Sequence, residues 1–194
     1  FVPILSLASK KNKDLYSKLL NALDTGIIDL LLQKCDISDT DQKMLTTIFQ
    51  DRIKNEEEFF MPNYGSKDRS VYRISKDLIE VYRIVSAHKN VDGKPVVFSF
   101  ADESDGTNRL LDLLPAFIEL TNQTGKVYVI DELDRSLHTK LSKTLLKYYL
   151  NSCNENSRSQ LIFTTHDVML MDQNTFRRDE FWVTDRSSEG VSSL

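Results

Sequence analysis

The chain has 194 residues, 40% of them hydrophobic and 28% charged, a balance that can fill a sizeable core and excludes wholesale disorder and collagen-like repeats. Its formal net charge of −4 gives no global basic field for nucleic acid, and no segment approaches the roughly 20 uninterrupted apolar residues that cross a bilayer. We therefore expect no membrane partner. The only two cysteines, Cys35 and Cys153, lie far apart without a CxxC motif, which favours a reducing, cytoplasmic compartment.

The first 70 residues are predicted to form a helical lobe followed by a loop. Leucines repeat at helical spacing over residues 15–23, and the apolar residues of 27–31 continue that repeat. A second amphipathic helix is predicted over 39–54. Turn formers and charged residues over 55–66 predict the loop.

Residues 71–194 are predicted to form an α/β core. β-rich segments at 81–85 and 96–100 flank a turn sequence, which is typical of a hairpin. Beyond the hairpin, helices and apolar strands alternate, as in a parallel sheet flanked by helices. The predicted helices cover 107–120 and 136–151, and the predicted strands cover 127–130, 161–165 and 180–184.

Two adjacent acids, Asp131 and Glu132, directly follow the apolar strand predicted at 127–130. Ligands commonly bind at the carboxyl ends of strands in an α/β sheet. One acid there can hold Mg²⁺ directly or through water, and the next can orient an attacking water. This is a Walker B arrangement with a catalytic glutamate, although a solvated acidic turn explains the segment by itself equally well.

Two further strands end in polar segments. Ser104 is a candidate N-cap and Gly106 permits close backbone approach, so the helix that follows is a candidate phosphate site, although neighbouring acids oppose that reading. The strand at 161–165 delivers His166, which can contact a transferring phosphate. The gaps between these segments each fit one helix plus one strand, so we expect all three tips on one edge of one sheet.

In this order, the segments resemble the motifs of ABC-type ATPases. Residues 103–107 (ESDGT) are similar to the ABC signature, 127–132 to the Walker B strand, 134–138 to the D-loop and 164–167 to the switch-histidine loop. The amino-acid sequence of these segments most resembles prokaryotic AAA/ABC-type ATPases related to OLD-like and SMC-like heads. Several of these ATPases serve in phage-defence or toxin systems. The resemblance is specific over residues 96–186. It implies the C-terminal half of a P-loop NTPase head.

The resemblance also implies roles for individual residues. Asp131 would hold Mg²⁺ through water, Glu132 would be the general base for the water that attacks the γ-phosphate, and His166 would contact that phosphate. ABC heads sandwich ATP between two protomers, which implies a homodimer. The residues that would face the partner's ATP or lie at the dimer seam are Ser104, Gly106, Thr107, Asp134 and Ser136.

Two positions depart from the signature of transporters. Glu103 stands where the family has a leucine, and Asp105 stands where it has a glycine. The added acids agree better with the OLD-like and SMC-like heads than with transporters.

No GxxxxGK[ST] motif occurs in the 194 residues. Without that loop, neither backbone amides nor a lysine cradle the β- and γ-phosphates, so we expect the chain alone to bind ATP poorly. The chain starts at Phe1, and the family places the loop upstream. We therefore expect a longer polypeptide in the cell to be the active ATPase.

Two other functions compete with this hypothesis. A non-catalytic dimerisation or regulatory module would explain the missing loop. A metal-dependent nuclease or phosphatase would use the acids and the histidine, but consecutive residues of one strand end are poorly placed to hold two metals roughly 3.5–4 Å apart. The sequence leaves open which process ATP drives. It also leaves open whether the partner is an effector protein or a nucleic acid.

Overall fold

The computed structural model describes residues 10–55, 58–63, 69–75, 78–122 and 125–193. These form two compact units, Phe1–Ile118 and Glu119–Leu194. The first unit contains, in chain order, α1 (Lys10–Ala22), β1 (Ile27–Cys35), α2 (Asp39–Asn55), β2 (Glu58–Asn63), β3 (Ser70–Ser75), β4 (Ile79–Lys89), β5 (Pro95–Ser99) and α3 (Asp105–Thr121), which crosses the division.

The long strand β4 organises an antiparallel sheet in the first unit. β1 pairs along one side of it, while β3 and β5 pair with successive parts of the other side and β2 continues the sheet beyond β3. The β4–β5 pairing confirms the predicted hairpin. β2 and β3 pair with each other on either side of the predicted boundary at residue 70.

The prediction that residues 27–31 continue the first helix is wrong. α1 ends at Ala22, and Asp24 and Gly26 adopt positive φ values of 59° and 77°, which no helix accommodates. The apolar residues beyond them form β1, which pairs with β4 from Ile27 to Cys35. Pairing along a whole neighbouring strand outweighed a local helical repeat.

The remaining predictions in the first 70 residues had mixed outcomes. α2 confirms the second helix, with Leu45 buried and Phe49 packed beside it, but Met44 and Ile48 are exposed. Residues 58–63 of the predicted loop form β2 instead, because β3 supplies a pairing edge. Residues 56–57 and 64–68 lie outside the described residues.

The second unit contains β6 (Val127–Ile130), α4 (Thr139–Ser152), β7 (Gln160–Phe163) and the short pair β8 (Asp185–Arg186) and β9 (Ser192–Ser193). Short 3₁₀ helices cover Val168–Leu170 and Arg178–Glu180. β6 and β7 pair in parallel, as predicted for these two strands. Within the described part of the chain, no helix combines the length and apolar content that a membrane crossing requires.

Two predicted boundaries in the second unit are wrong. Residues 180–184 are not a strand, since Glu180 ends a 3₁₀ helix and no pairing partner aligns with the following residues within the described chain. The helix predicted from Ser136 begins at Thr139 instead. Ser136 has a φ of 62°, and His138 caps the helix by accepting a hydrogen bond from the Lys140 backbone N–H at its Nδ1.

Candidate functional site

The parallel register of β6 and β7 brings two of the predicted motifs together. Ile130 pairs with Phe163, so the residues that follow the two strands leave the sheet side by side. Two backbone bonds extend this alignment: the Thr164 N–H donates to the Ile130 carbonyl at 3.1 Å, and the Leu133 N–H donates to the Thr164 carbonyl at 3.0 Å. The acidic turn after β6 is thereby tied to the loop after β7.

Thr164 connects both adjacent acids through one hydroxyl group. Its Oγ1 donates to Asp131 Oδ1 at 2.5 Å and accepts from the Glu132 backbone N–H at 2.8 Å. Glu132 has a φ of 48°, in the left-handed region that non-glycine residues rarely adopt. Such a conformation persists where surrounding contacts enforce it, which is common at functional sites. Thr164 carried no predicted role of its own, although it is the first residue of the predicted switch-histidine loop.

Glu132 and His166 lie within reach of each other. His166 Nε2 is 3.4 Å from Glu132 Oε1, while 84% of the histidine side chain and 44% of the glutamate side chain remain accessible. A contact this long and this open leaves both groups able to face an incoming ligand. The structure therefore places a carboxylate base candidate and a histidine together at one strand edge.

The turn that follows Glu132 contains the remaining predicted seam residues. The Arg135 N–H donates to the Glu132 carbonyl at 3.0 Å, and the exposed Ser136 has a positive φ. Leu133 is fully buried and anchors the turn. Asp134 Oδ1 is buried without a hydrogen-bond partner among the described residues. A buried acceptor of this kind carries a desolvation cost.

Asp167 fixes the far end of the loop after β7. The Thr139 hydroxyl donates to its carboxylate, and this bond is the main cause that lowers the pKa of Asp167 below its ordinary value. Burial opposes that shift, while the Met169 backbone N–H, donating at 2.9 Å, adds to it. The loop bearing His166 is thus tied to the first residue of α4.

Asp131 is the candidate magnesium ligand of this turn. Mg²⁺ in nucleotide enzymes is commonly held by one or two carboxylates together with waters and substrate phosphates. Asp131 is exposed and its carboxylate is oriented by Thr164, which fits that mode. Across the described residues, no group of three or more His, Cys, Asp and Glu side chains could hold a metal ion by itself.

The predicted signature residues lie in the first unit, at the start of α3. Ser104 Oγ accepts from the Thr107 backbone N–H at 3.1 Å and lies 2.9 Å from Thr107 Oγ1, which confirms the predicted N-cap. Ser104 is exposed, Gly106 is half-buried and Thr107 is buried. This turn presents one serine hydroxyl and the first turn of a 17-residue helix.

The expectation that all three motif tips share one sheet edge is wrong. The Ser104 turn follows β5, which belongs to the antiparallel sheet because it forms a hairpin with β4. The other two tips follow β6 and β7, which form a separate parallel pair. Spacing along the chain matches either arrangement, whereas strand pairing distinguishes them.

Two polar residues that sequence analysis left without a functional role support the signature turn. Arg69 Nη1 donates to Asp112 Oδ1 at 2.5 Å, and Arg69 Nη2 donates to the Asn108 carbonyl at 3.0 Å. The Arg69 guanidinium also lies 5.7 Å from the Phe100 ring centroid. His88 Nε2 lies 2.6 Å from Glu103 Oε1. No sequence signal marked these pairs, because their partners are 15 to 43 residues apart.

A carboxylate that can hold Mg²⁺ and a residue that can position an attacking water are recurring parts of P-loop NTPase sites. Residues 13–172 match the family model described as "AAA domain, putative AbiEii toxin, Type IV TA system". Since the match covers most of the chain, the chain belongs to this family of AAA-type P-loop ATPase domains. No curated protein and no solved structure matches the chain.

Proposed function

We propose that the chain is the signature, Walker B, D-loop and switch-histidine part of an ABC-type ATPase that dimerises around ATP. The observation that carries this proposal is the joining of Asp131, Glu132 and His166 at the ends of two parallel strands. Family membership supports nucleotide binding and an ATPase-type activity.

Each of these side chains has a defined role in the proposed reaction. Glu132 takes a proton from the water whose oxygen attacks the γ-phosphorus, the bond to the β-phosphate oxygen breaks, and ADP and phosphate leave. His166 would contact the γ-phosphate. Thr164 orients the Asp131 carboxylate, which would hold Mg²⁺ through water, and the metal would supply positive charge that offsets phosphate charge. The exposure of Glu132 and His166 supports these roles, since both can reach a ligand.

The proposed partner is a second protomer of the same protein. The residues that face its nucleotide or line the seam are Ser104, Gly106, Thr107, Asp134 and Ser136. The exposed Ser104 hydroxyl and the left-handed turn at Ser136 support this assignment. A Walker A segment outside these 194 residues supplies the phosphate cradle in this proposal, because the sequence contains no GxxxxGK[ST]. The family description favours a prokaryotic toxin or defence system as the process that is driven.

The test begins with the coding sequence that surrounds this chain. A GxxxxGK[ST] motif encoded upstream supports the ATPase, and the protein containing it is then purified with and without Glu132→Gln. We expect the variant to hydrolyse ATP about 100-fold or more slowly and to accumulate as an ATP-bound dimer in light scattering. Asp102→Asn is the matched control, since Asp102 is an exposed acid outside the motifs.

The contrary outcomes are distinct. A variant that stays monomeric with ATP contradicts the proposed dimer, and wild-type turnover that survives Glu132→Gln contradicts the assigned base. An upstream region without a P-loop, together with no ATP-dependent assembly, favours the non-catalytic dimerisation or regulatory module.

A further inference from the structure

The acid that precedes the signature serine is buried and bonded to the antiparallel sheet. Glu103 Oε1 accepts from Ser86 Oγ and lies 2.6 Å from His88 Nε2, while only 9% of the Glu103 side chain is accessible. Both contacts are therefore within hydrogen-bond distance of the same carboxylate oxygen. Glu103, two residues before α3, therefore connects the turn that opens this helix to β4.

Both partners of Glu103 belong to the strand that organises the sheet. Ser86 and His88 are two residues apart on β4, so their side chains lie on the same face of it. Ser86 is fully buried, and β4 pairs with β1 and β5 at these positions. A carboxylate bonded to this strand is fixed by the most extensively paired backbone of the unit.

The His88 ring is held by two contacts, and Gly26 leaves room for it on a third side. It meets the Phe98 ring edge-on with centroids 5.2 Å apart, and Glu103 contacts its Nε2. On the Nδ1 side, a Cβ at Gly26 would approach to 3.3 Å, tighter than most real contacts, and Gly26 has a φ of +77°. The absence of a side chain at Gly26 therefore leaves space for the ring in this orientation.

The anchored acid sits next to the residue whose position matters for the proposed function. Ser104 directly follows Glu103, and its hydroxyl caps α3 through the Thr107 N–H. Asn108 Nδ2 holds the backbone of the same turn by donating to the Phe100 carbonyl at 2.9 Å and to the Ser104 carbonyl at 3.2 Å. Fixing the Glu103 side chain therefore restricts where the Ser104 hydroxyl can point.

We propose that Glu103, held by His88 and Ser86, is a positioning residue that sets the Ser104 turn for contact with the partner's nucleotide. This inference rests on the proposed function. It explains why an acid stands where the family signature of transporters has a leucine: the position is occupied by a polar anchor to β4.

The experiment uses the P-loop-containing protein in the Glu132→Gln background, where ATP-bound dimers accumulate. Glu103→Leu, His88→Leu and the double variant remove the anchor. Glu103→Gln keeps an acceptor oxygen and His88→Gln keeps an N–H donor. Dimerisation with ATP is measured by light scattering, ATP affinity of the monomer by fluorescent-nucleotide binding and folding by thermal unfolding.

We expect Glu103→Leu to raise the dimer dissociation constant at least tenfold while the ATP affinity of the monomer stays within twofold. His88→Gln and Glu103→Gln recover most of the dimerisation. The double variant places two apolar side chains together, so it regains thermal stability but dimerises no better than Glu103→Leu, since both substitutions remove the same contact.

The outcomes separate the inference from the proposed function. If the parent protein forms ATP-bound dimers and Glu103→Leu dimerises equally well, the inference is overturned and the proposed function stands. Parallel losses of stability, monomer ATP affinity and dimerisation also overturn it, because they indicate a purely structural role. A parent protein that does not dimerise with ATP overturns both. Asp102→Asn, one residue away and exposed, is the control and should change none of the three readouts.

Discussion

The two motif-bearing turns differ in the contacts that hold them. The Ser104 turn in the first unit is anchored by polar side chains, with Glu103 bonded to β4 and Arg69 bonded to α3. The acidic turn in the second unit is anchored by a buried leucine, Leu133, and by one threonine. Polar anchors require matched partners to remain satisfied, whereas an apolar anchor requires only close packing.

This difference in anchoring determines which substitutions each turn tolerates. Around Ser104, removal of a charge leaves a partly buried partner unsatisfied and shifts the turn. Around Glu132, the candidate carboxylates are accessible, since Asp131 is exposed and 44% of the Glu132 side chain is accessible, while the buried Leu133 contributes to stability. Function and stability are therefore more separable in the acidic turn than in the signature turn.

We expect the largest change in stability when the apolar anchor of the acidic turn, Leu133, is truncated. Leu133→Ala removes a fully buried side chain and leaves a cavity, so we expect the free energy of unfolding of the second unit to fall by about 3 kcal/mol. Urea denaturation monitored by circular dichroism measures it. Val168→Ala, at an exposed position, is the control; an equal loss in both variants would contradict the anchoring role.

The polar anchor of the signature helix gives the next effect. Arg69→Met removes the bonds to Asp112 and Asn108, so we expect the first unit to lose about 2 kcal/mol of unfolding free energy. The same denaturation experiment measures this change. Lys34→Met breaks an ion pair with Glu80 at an exposed lysine and should change stability much less. Equal losses of stability in both variants would contradict the larger contribution that we expect from the partly buried Arg69 contacts.

Thr164 tests orientation in the acidic turn, because its hydroxyl orients Asp131 and contributes little to packing. Thr164→Val removes the hydroxyl that contacts both Asp131 and Glu132, and we expect ATP turnover in the P-loop-containing protein to fall about tenfold. Steady-state kinetics over a range of Mg²⁺ concentrations should show a higher Mg²⁺ requirement. Thr144→Val is the matched control, since the Thr144 hydroxyl donates to the Lys140 carbonyl of its own helix. Unchanged Mg²⁺ dependence would refute the positioning role of Thr164.

The smallest effect concerns the pH dependence of the loop after β7. The Thr139 hydrogen bond lowers the folded-state pKa of Asp167, so its stabilisation is present above pH about 4 and is lost as the pH falls through the folded-state value. Thr139→Val should raise the pKa of Asp167 toward its ordinary value, and acid unfolding should then begin at a higher pH. Carboxyl-carbon NMR titration measures the pKa directly. Lys143→Met should shift the pKa of Asp167 less, because charge from Lys143 is a weaker cause than the Thr139 bond.

Local sequence patterns predicted the elements that carry the second unit's motifs. The apolar segment at 127–130 was predicted as a strand and forms β6 within those bounds. The strand predicted at 161–165 forms β7, which begins one residue earlier and ends two residues earlier. Short apolar segments between turn formers constrain the backbone locally, so such strands can be recognised without knowledge of their partners. The adjacency of Asp131 and Glu132 is likewise a property of the chain itself.

The sequence by itself determined the motif residues, their order, the hairpin and the strand ends from which the acids and His166 emerge. Only the tertiary structure decided that residues 27–35 form a strand, that the signature turn follows the antiparallel sheet, and that Thr164, Arg69 and His88 hold the two turns. The physical reason is distance along the chain. Periodicity reports contacts within about two turns of a helix. The pairing of β1 with β4 joins residues 46 to 61 positions apart, the polar anchors named above join residues 15 to 43 positions apart, and the strand pairing also depends on which edges are open.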